Sequence, residues 1–421
     1  MSTTSTYLRL EEMNKKKHTV FHHEIVVEDK PHASLTTYPK ESTQHLKEAK
    51  QNVLLLNGVR EQYSLVTGYS IPSILYEGEI LVKVLTIGLN PIDWKSPAFN
   101  FGIPGLPWIF GRDLAGVVVK VSNKCSRLRA GDIVLVPSTD YRDIRKAAFQ
   151  EYAVTTYFNA ARIPSTTSIH ESASLGVAFV ASVLGLGISF GLDFSHISPP
   201  PGPNLVKTIS QLNINEIPVD IREECFSSSL DLERAKPGEW IAIWGASTTT
   251  GYITLQLSKL AGLKVICIAD AARHGAKLLE AGADLLVDRR DPERAIEIIH
   301  GITGGKLRYA IDIVGKETAT ILQRALSTGS QAGAHAHLLG LTGLPKERVG
   351  SIRYHTVPIK LFHSSPAIGE GLVRWLEGLL ERGALRLPEV VRGEGGLGGI
   401  NAALETLKSG SVSGKRIVVD I

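Results

Sequence analysis

The sequence predicts an α/β protein in which a doubly wound parallel sheet is inserted into a mostly β domain. Three observations support this fold class. Apolar runs alternate with amphipathic helices between residues 240 and 341, short β-prone runs punctuated by glycine precede them, and another β-prone run ends the chain. Because strand–helix alternation favours parallel sheets and short glycine-separated runs favour antiparallel ones, the two patterns predict two domains.

The parallel sheet is predicted from five apolar runs. These runs cover residues 241–244, 264–269, 284–288, 309–314 and 336–341. Helix periodicity covers 252–260, 271–280 and 293–300, with glycine stops at Gly262 and Gly282. In such a sheet, ligands bind at the carboxyl ends of the strands, so we expect a crevice there.

The mostly β domain is predicted from runs at both ends of this region. They cover residues 79–85, 114–121, 132–136, 151–154 and 415–421. We therefore expect an N-terminal extension at 1–50, the first part of the β domain at 51–185, the parallel-sheet domain at 186–350 and the last part of the β domain at 351–421. A proline-rich surface loop is expected near 195–236, because the prolines of 199–203 cannot enter a central strand or helix.

Composition limits the class of protein. The 421 residues are 43% hydrophobic with a net charge of +4, which allows sizeable cores and gives no reason to expect nucleic-acid or membrane binding. Residues 1–50 are polar, without a signal peptide or a membrane-spanning run, and we expect much of this segment to be disordered. Cys125, Cys225 and Cys267 are too scattered for a disulfide framework, which favours a reducing, cytoplasmic location.

The turn from Gly245 to Gly251 has the features of a dinucleotide-binding turn. Gly245 permits a tight turn, the small side chain of Ser247 lets a pyrophosphate approach the backbone, and Gly251 allows close packing of helix on strand. Free N–H groups at the helix start favour phosphate. Since Ser247 replaces the middle glycine of the pattern, the turn alone also fits an ordinary strand–turn–helix, and the strand–helix alternation favours the nucleotide. The predicted contacts are Ser247, Thr248, Thr249 and Thr250.

Five segments in order resemble the medium-chain dehydrogenase/reductase superfamily. They are VLTIGLNPIDWK at 84–95, FGRDLAGVVV at 110–119, Ala-Gly-Asp at 130–132, the turn at 245–251 and Val-Ser-Gly-Lys at 412–415. The resemblance implies a GroES-like catalytic domain with an inserted Rossmann domain that binds NADPH. Within the superfamily, segments 90–95, 244–251 and 282–289 resemble fungal trans-acting enoyl reductases, which serve polyketide synthases and their hybrids with peptide synthetases.

This resemblance implies a reaction and a partner. The protein is expected to transfer a hydride from NADPH to the β carbon of an α,β-unsaturated polyketide thioester, held on the carrier domain of a separate synthase, and to act as a monomer. Two alternatives remain open. One is a stand-alone NADPH-dependent quinone or enone oxidoreductase, and the other is a nucleotide-binding relative that has lost turnover.

The sequence predicts no metal site. Zinc-dependent relatives commonly carry a histidine in a Gly-His-Glu element, and the corresponding residues here are Gly111, Arg112 and Asp113. The three cysteines cannot supply four thiolates for structural zinc. The pairs His22–His23 and His335–His337 are interpreted as adventitious or structural. Without a metal, the natural reaction is hydride addition to an already activated carbon–carbon double bond.

The resemblance also assigns residues to the nicotinamide end. Ile92, Asp93, Trp94 and Lys95 are expected there, together with Val412 and Ser413. Lys95 is the predicted catalytic residue, because a cation can stabilise an enolate or supply a proton, although a solvated surface lysine is an equal alternative. Asp93 and Trp94 are expected to shape the loop. Val412 and Ser413 would otherwise form an ordinary turn before the last strand.

A further segment is implied to border the substrate. Its members are Val177, Ala178, Phe179, Val180, Ala181, Ser182, Val183 and Leu184. Many relatives have a threonine where Ala181 aligns, and this chain offers Ser182 one position later, so a hydroxyl role is in doubt. A buried apolar helix is the alternative.

Cofactor preference depends on the loops after the second and third strands. The resemblance places Ala271, Ala272, Arg273 and His274 in a loop that holds the 2′-phosphate, and Arg289 follows the third strand. Guanidinium groups bind phosphate bidentately, which favours NADPH. Asp270 is the opposing observation, because a carboxylate nineteen residues after Gly251 could bind an adenosine ribose and favour NAD. Asp270 could instead orient one of the arginines.

Overall fold

The computed structural model describes residues 49–122, 127–198, 200–327 and 333–421. Most of the predicted N-terminal extension, with His22 and His23, lies outside the described residues, as do Cys125 and Pro199.

Two sheets form the mostly β part. Their strands are β1 (Lys50–Leu56), β2 (Ser64–Ser70), β3 (Glu79–Gly88), β4 (Trp108–Ile109), β5 (Asp113–Val121), β6 (Ile133–Val136), β7 (Tyr152–Thr156) and β8 (Ala161–Arg162). The C-terminal β15 (Val390–Gly393) and β16 (Arg416–Asp420) join them. One sheet has the order β2-β1-β4, and the other has the order β15-β16-β3-β5-β6-β8 with β7 paired to β3. Strand β16 pairs antiparallel with β3, with Val418 opposite Gly88, so the chain end completes this sheet as expected.

A six-stranded parallel sheet forms the second part. Its strands are β9 (Trp240–Trp244), β10 (Lys264–Ala269), β11 (Leu285–Asp288), β12 (Tyr309–Asp312), β13 (Ala336–Gly340) and β14 (Ile352–His355). The order β11-β10-β9-β12-β13-β14 reverses direction next to β9, which is the arrangement of a doubly wound sheet. The crevice of such a sheet opens at this reversal.

Helices cover both parts. They are α1 (Pro91–Phe99), α2 (Ile169–Leu184), α3 (Leu205–Ser210), α4 (Arg222–Cys225), α5 (Thr249–Leu260), α6 (Ala271–Glu280), α7 (Pro292–Thr303), α8 (Lys316–Leu322), α9 (Lys360–Ser364), α10 (Pro366–Glu381) and α11 (Gly396–Lys408). The apolar stretch Ile169–Ser189 has the length and hydropathy of a membrane span, but 94% of its most apolar 18 residues are buried inside the protein. It is therefore placed like the core helix of a globular fold, packed against α5 and the seven-stranded sheet.

The predicted fold class is confirmed, and several elements differ in detail. All five predicted parallel strands form. A sixth strand, β14, was missed because its two central residues, Arg353 and Tyr354, are polar or only partly buried and interrupt the apolar run expected of a buried parallel strand. Strands β1 and β2 were also missed. The segment predicted as a surface loop contains α3 and α4, and buries Leu205 and Ile209. Proline excludes this segment from the sheet but does not prevent short helices between the prolines. The predicted domain bounds stay a prediction.

Candidate active site

A cavity of about 840 Å³ is lined by residues of both parts of the fold. Of the residues predicted from the sequence, it is lined by Ile92, Lys95, Val177, Ala181, Ser247, Thr248, Thr249, Thr250, His274, Arg289, Val412 and Ser413. The predicted residues that do not line it are Asp93, Trp94, Ala178, Phe179, Val180, Ser182, Val183, Leu184, Ala271, Ala272 and Arg273. The predicted phosphate, nicotinamide and C-terminal segments therefore share one cavity.

The turn between β9 and α5 has the geometry of a phosphate-binding turn. Gly245 adopts a φ of +88°, which few side chains tolerate. A Cβ on Gly251 would lie 2.4 Å from the carbonyl oxygen of Gly245, so only glycine lets the helix pack this closely on the turn. The Thr248 hydroxyl caps the helix by accepting the N–H of Gly251 at 3.0 Å. The N–H groups of Thr249 and Thr250, in the first turn of α5, have no intrahelical acceptor and can bind an anion.

The arginines near Asp270 differ in their contacts. Asp270 is mostly buried, caps α6 through the N–H of Arg273, and forms a 2.8 Å ion pair with Arg290. Burial raises the pKa of Asp270, but these donors and Arg289 outweigh it and the net shift is downward, so the carboxylate is ionised. Within the described part of the chain the exposed side chain of Arg289 forms no ion pair and lines the cavity, whereas Arg273 is not among the lining residues. Asp270 does orient an arginine, and that arginine is Arg290.

A contact between His274 and Ser413 joins the parallel-sheet part to the C-terminal turn. Nε2 of His274 lies 2.9 Å from the Ser413 hydroxyl, and both residues line the cavity. A Cβ on Gly414 would come within 2.7 Å of the imidazole, so the turn approaches the ring closely. Burial and the nearby Arg273 lower the pKa of His274, which favours the neutral ring.

Helix α1 places Lys95 at the other end of the cavity. Lys95 is half-buried, lines the cavity, and has its Nζ 5.7 Å from the centre of the Trp94 ring. Asp93 is fully buried and accepts the N–H of Asn90 at 2.7 Å, forming the cap of the helix. Burial raises the pKa of Asp93 to about 7. Asp93 thus caps the helix, and neither Asp93 nor Trp94 lines the cavity, so their expected place beside the nicotinamide stays a prediction.

Asp113 connects three walls of the cavity, a role that was not predicted from the sequence. Its fully buried carboxylate accepts the Asn90 amide at 2.8 Å and Arg416 at 3.1 Å on one oxygen, and the N–H groups of Ser138 and Val177 on the other. A Cβ on Gly176, whose φ is +22°, would overlap the carboxyl group. Burial raises the pKa of Asp113, with Arg416 opposing the shift. One carboxylate thus fixes cavity residues from α1, α2 and β16.

Helix α2 contributes less to the cavity than expected. Only Val177 and Ala181 reach it, because Phe179, Val180, Val183 and Leu184 lie on the sides that pack into the core. The hydroxyl of Ser182 is committed to the carbonyl of Ala178 and to Thr254 at 2.8 Å. A hydroxyl at Ser182 is consequently turned toward α5 and away from the cavity.

Other cavity residues were missed by the sequence reasoning. They follow the carboxyl ends of the parallel strands: Ile313 and Val314 after β12, Leu341 to Leu344 after β13, and Thr356 to Ile359 after β14. The rule that ligands bind at these strand ends could have identified the first two groups. The third group depended on the missed strand β14.

The candidate metal ligands are otherwise engaged. Arg112, at the position of the zinc-binding histidine, is buried and its guanidinium lies 4.8 Å from the centre of the Tyr141 ring. His335 and His337 both contact Glu233 at 2.8 and 2.9 Å, which is the structural role predicted for them. Among residues 49–122, 127–198, 200–327 and 333–421, no group of three or more His, Cys, Asp or Glu side chains is arranged to hold a metal ion.

Comparisons with known proteins agree with this architecture. Residues 76–165 match the alcohol dehydrogenase GroES-like domain, and residues 249–354 match the family described as zinc-binding dehydrogenase. Trans-enoyl reductase BOA5 of Botryotinia fuckeliana is 28% identical over 367 residues, covering 82% of this chain and 92% of that protein. Trans-enoyl reductase mycC of Thermothelomyces thermophilus is 29% identical over 375 residues, covering 83% and 91%.

Solved structures share the fold. The CurK enoyl reductase superposes with a TM-score of 0.64 at 16% identity, covering 88% of this chain and 99% of that one. The Escherichia coli quinone oxidoreductase complexed with NADPH superposes with a TM-score of 0.64 at 19% identity, covering 89% and 100%. Fold, cavity and relatives agree: the chain has the two-domain fold of the medium-chain dehydrogenase/reductase oxidoreductases, it matches the models of both domains, and it resembles the fungal trans-enoyl reductases.

Proposed function

We propose that the protein is a trans-acting enoyl reductase of secondary metabolism. It reduces the α,β-double bond of a polyketide thioester carried by a separate polyketide synthase or synthase–peptide synthetase hybrid, uses NADPH, and works as a cytoplasmic monomer. The observation that carries this proposal is a cavity lined together by the phosphate turn, Arg289 and Lys95. Relatives named trans-enoyl reductases, at 28–29% identity over most of the chain, support the reaction class.

The residues present fit NADPH. Gly245 and Gly251 let a pyrophosphate approach the turn, and the open N–H groups of Thr249 and Thr250 bind its charge. Arg289 lines the cavity, forms no ion pair with another described residue, and offers its guanidinium for the 2′-phosphate. The carboxylate of Asp270 is ion-paired with Arg290 and is therefore less available to a ribose hydroxyl. This pairing favours NADPH over NADH.

The chemistry assigns a role to each end of the cavity. NADPH, when bound, supplies the hydride that adds to the β carbon of the unsaturated thioester. The electron pair of the double bond then moves toward the thioester oxygen, and the α carbon takes up a proton. Lys95 stabilises the negative charge on that oxygen or supplies the proton. Ile92, Val177 and Ala181 keep the reacting carbons dry and oriented, with Val412 and Ser413 at the nicotinamide side.

The proposed reaction requires no metal. Arg112 cannot act as a zinc ligand, and its buried position beside Tyr141 leaves no imidazole at this point of the fold. We expect full activity after prolonged chelation, measured as NADPH oxidation, with less than one equivalent of zinc by elemental analysis. Activity that disappears on chelation and returns with added zinc would contradict the mechanism.

The test compares how the substrate is presented. NADPH oxidation is measured with one α,β-unsaturated acyl group on a carrier domain, on pantetheine and as a free enone, using NADPH deuterated at the transferred position. Because binding energy from the pantetheine arm orients the β carbon, kcat/KM should fall as the arm is shortened, with deuterium found at the β carbon.

The same experiment separates the alternatives. Indifference to the arm, together with rapid turnover of simple quinones, would support a stand-alone quinone or enone reductase, a class named among the structural neighbours. NADPH binding without oxidation by any acceptor would indicate a relative that has lost turnover.

A further inference from the structure

Two histidines and two carboxylates form a continuous hydrogen-bonded row outside the cavity. Glu233 Oε2 lies 2.9 Å from His337 Nε2, His337 Nδ1 lies 2.9 Å from His355 Nε2, and His355 Nδ1 lies 3.0 Å from Glu224 Oε1. The side chains of His337 and His355 are at most 2% exposed, and that of Glu233 is 1% exposed. We call Glu233, His337, His355 and Glu224 the histidine chain.

The number of hydrogens that the histidine chain needs follows from its three contacts. Three hydrogen bonds need three hydrogens, and two neutral imidazoles supply only two. Ionised carboxylates supply none. All three contacts are therefore hydrogen bonds only when the chain holds one proton beyond two neutral histidines and two carboxylates.

The environment indicates where that proton lies. Burial and the neighbouring His355 lower the pKa of His337 to about 3, so His337 is neutral. Burial raises the pKa of Glu233, but the donors of His335 and the charge of Arg353 outweigh it and the net shift is downward, so Glu233 accepts. His337 must then donate to Glu233 through Nε2 and accept from His355 at Nδ1. His355 donates from both ring nitrogens and is paired with Glu224.

The other charged and titratable groups next to the histidine chain do not change this placement of the proton. His335 and Arg353 contact only the Glu233 end, at 2.8 and 3.5 Å. Arg308, whose charge also acts on His337, is paired with Glu239. At the Glu224 end the Ser189 hydroxyl donates to Oε1, and burial raises the pKa of the adjacent Cys225 thiol to about 12, which keeps it neutral. The rings of Phe190 and Tyr309 pack against the imidazoles and limit access of water.

The chain connects the cavity wall to the segment before β9. Glu224 and Glu233 belong to residues 204–235, which precede the parallel sheet, and the histidines belong to β13 and β14. The residues that follow these strands, 340–344 and 356–359, include cavity-lining positions. Ser189 ends the turn that follows α2, which supplies Val177 and Ala181 to the same cavity.

We propose that the histidine chain is a proton-dependent positioning device that fastens residues 204–235 to β13 and β14 and thereby fixes loops 340–344 and 356–359 of the cavity. When the extra proton leaves, one of the three contacts becomes two facing lone pairs, and the attachment weakens. The hydrogen count therefore predicts that the attachment is strongest while the histidine chain holds the extra proton and weakens once that proton leaves. This inference does not depend on the substrate.

Nitrogen-15 NMR of the histidine rings in the wild-type protein tests the proton count directly. Titration from pH 5 to 9 should show one proton leaving the chain, with the His337 and His355 signals changing together. Before release, His355 should carry hydrogens on both nitrogens and His337 only on Nε2. Two neutral rings throughout, or no proton released in this range, would overturn the proposal.

A pair of variants tests the positioning role. Glu224→Gln keeps an oxygen that accepts from His355 but removes the charge that holds the proton, so release should move to lower pH. Amide hydrogen–deuterium exchange then measures the attachment, once rates are corrected for their intrinsic pH dependence. The protection of residues 204–235 and 340–344 should fall about tenfold in both proteins, and in the variant this fall should occur at a lower pH than in the wild type. His335→Gln is the matched control, because His335 contacts Glu233 outside the chain, and its profile should follow the wild type. Equal profiles for Glu224→Gln and the wild type would refute the device.

Discussion

The two ends of the cavity are built in different ways. At the proposed phosphate end, the cavity wall is shaped by the backbone of one short stretch. Gly245, Thr248 and Gly251 set the turn and the start of α5 there. At the proposed nicotinamide end, one buried carboxylate, Asp113, holds the wall residues Asn90, Val177 and Arg416 in place. The first end is local in sequence, and the second joins residues as far as 303 positions apart.

This difference determines how each end tolerates change. A backbone turn is disrupted when a larger side chain is introduced into it. We call Asp113 and its partners the Asp113 hub, and this buried group is destabilised when one of its charges is removed. Substitutions at the phosphate end should therefore alter cofactor binding with small effects on stability. Substitutions at the hub should destabilise the whole fold.

The largest effect is expected for Asp113→Asn. Asparagine cannot neutralise Arg416, which is buried and would lose its 3.1 Å carboxylate partner. Leaving a buried charge unpaired costs about 3–5 kcal/mol, so the free energy of unfolding measured in urea should fall by that amount.

Asp132→Asn is the matched control for this change. The Asp132 carboxylate is partly exposed and accepts the N–H of Arg129, which an asparagine oxygen can also accept. Its effect should stay below about 1 kcal/mol. If the Asp113 variant lost no more stability than this control, the hub would not hold the walls together.

Cofactor preference is the next largest effect and tests the phosphate end. Arg289→Ala removes a cavity-lining guanidinium that has no ion-pair partner among the described residues, and NADPH binding should weaken by about 1–3 kcal/mol while NADH binding is unchanged. Calorimetric titration with both cofactors measures this. Arg290→Ala, in the same loop but paired with Asp270, is the control and should affect NADPH less. Equal losses for both cofactors would instead favour a ribose contact by Asp270.

The sequence predicts the phosphate end better than the hub for a physical reason. Gly245 to Gly251 is a contiguous motif whose spacing encodes its geometry, and strand–helix periodicity places it at a strand end. Asp113 was recognised only as part of an element lacking a zinc ligand. Its partners come from α1, α2 and β16, and no local pattern connects them.

The same limit applies to the helix expected to border the substrate. Periodicity shows that residues 177–184 are apolar, but not which side of the helix meets the cavity. That side is set by Asp113 accepting the N–H of Val177 and by the kink at Gly176. Packing against α5 then turns Ser182 away.

Lys95→Ala should have a smaller effect, restricted to turnover. If Lys95 stabilises charge on the thioester oxygen, kcat/KM should fall about tenfold, equivalent to about 1.4 kcal/mol, with the free energy of unfolding unchanged. Lys408→Ala is the control, since Lys408 Nζ lies 5.8 Å from the centre of the same Trp94 ring but does not line the cavity. Equal activity of the two variants would make Lys95 an ordinary surface lysine.

The smallest effect is a pH dependence that arises from Asp93. Its folded-state pKa is about 7, raised by burial above the ordinary 3.8, so the folded protein binds this proton more tightly than the unfolded chain. The extra stability is present at low pH and is lost as pH rises through about 7. Between pH 6 and 8 the free energy of unfolding should therefore fall by about 1 kcal/mol.

Asp93→Asn isolates this contribution, because asparagine does not titrate but retains an oxygen that can accept the N–H of Asn90. Urea unfolding of this variant should lack that part of the slope between pH 6 and 8. Glu224→Gln shifts the separate proton of the histidine chain and should keep the Asp93 contribution, so the two variants distinguish the two sources. An unchanged slope in Asp93→Asn would mean that Asp93 does not change its protonation between pH 6 and 8. Since Oδ1 of Asp93 has no hydrogen-bond partner among the described residues, a buried anion there would require a donor beyond them.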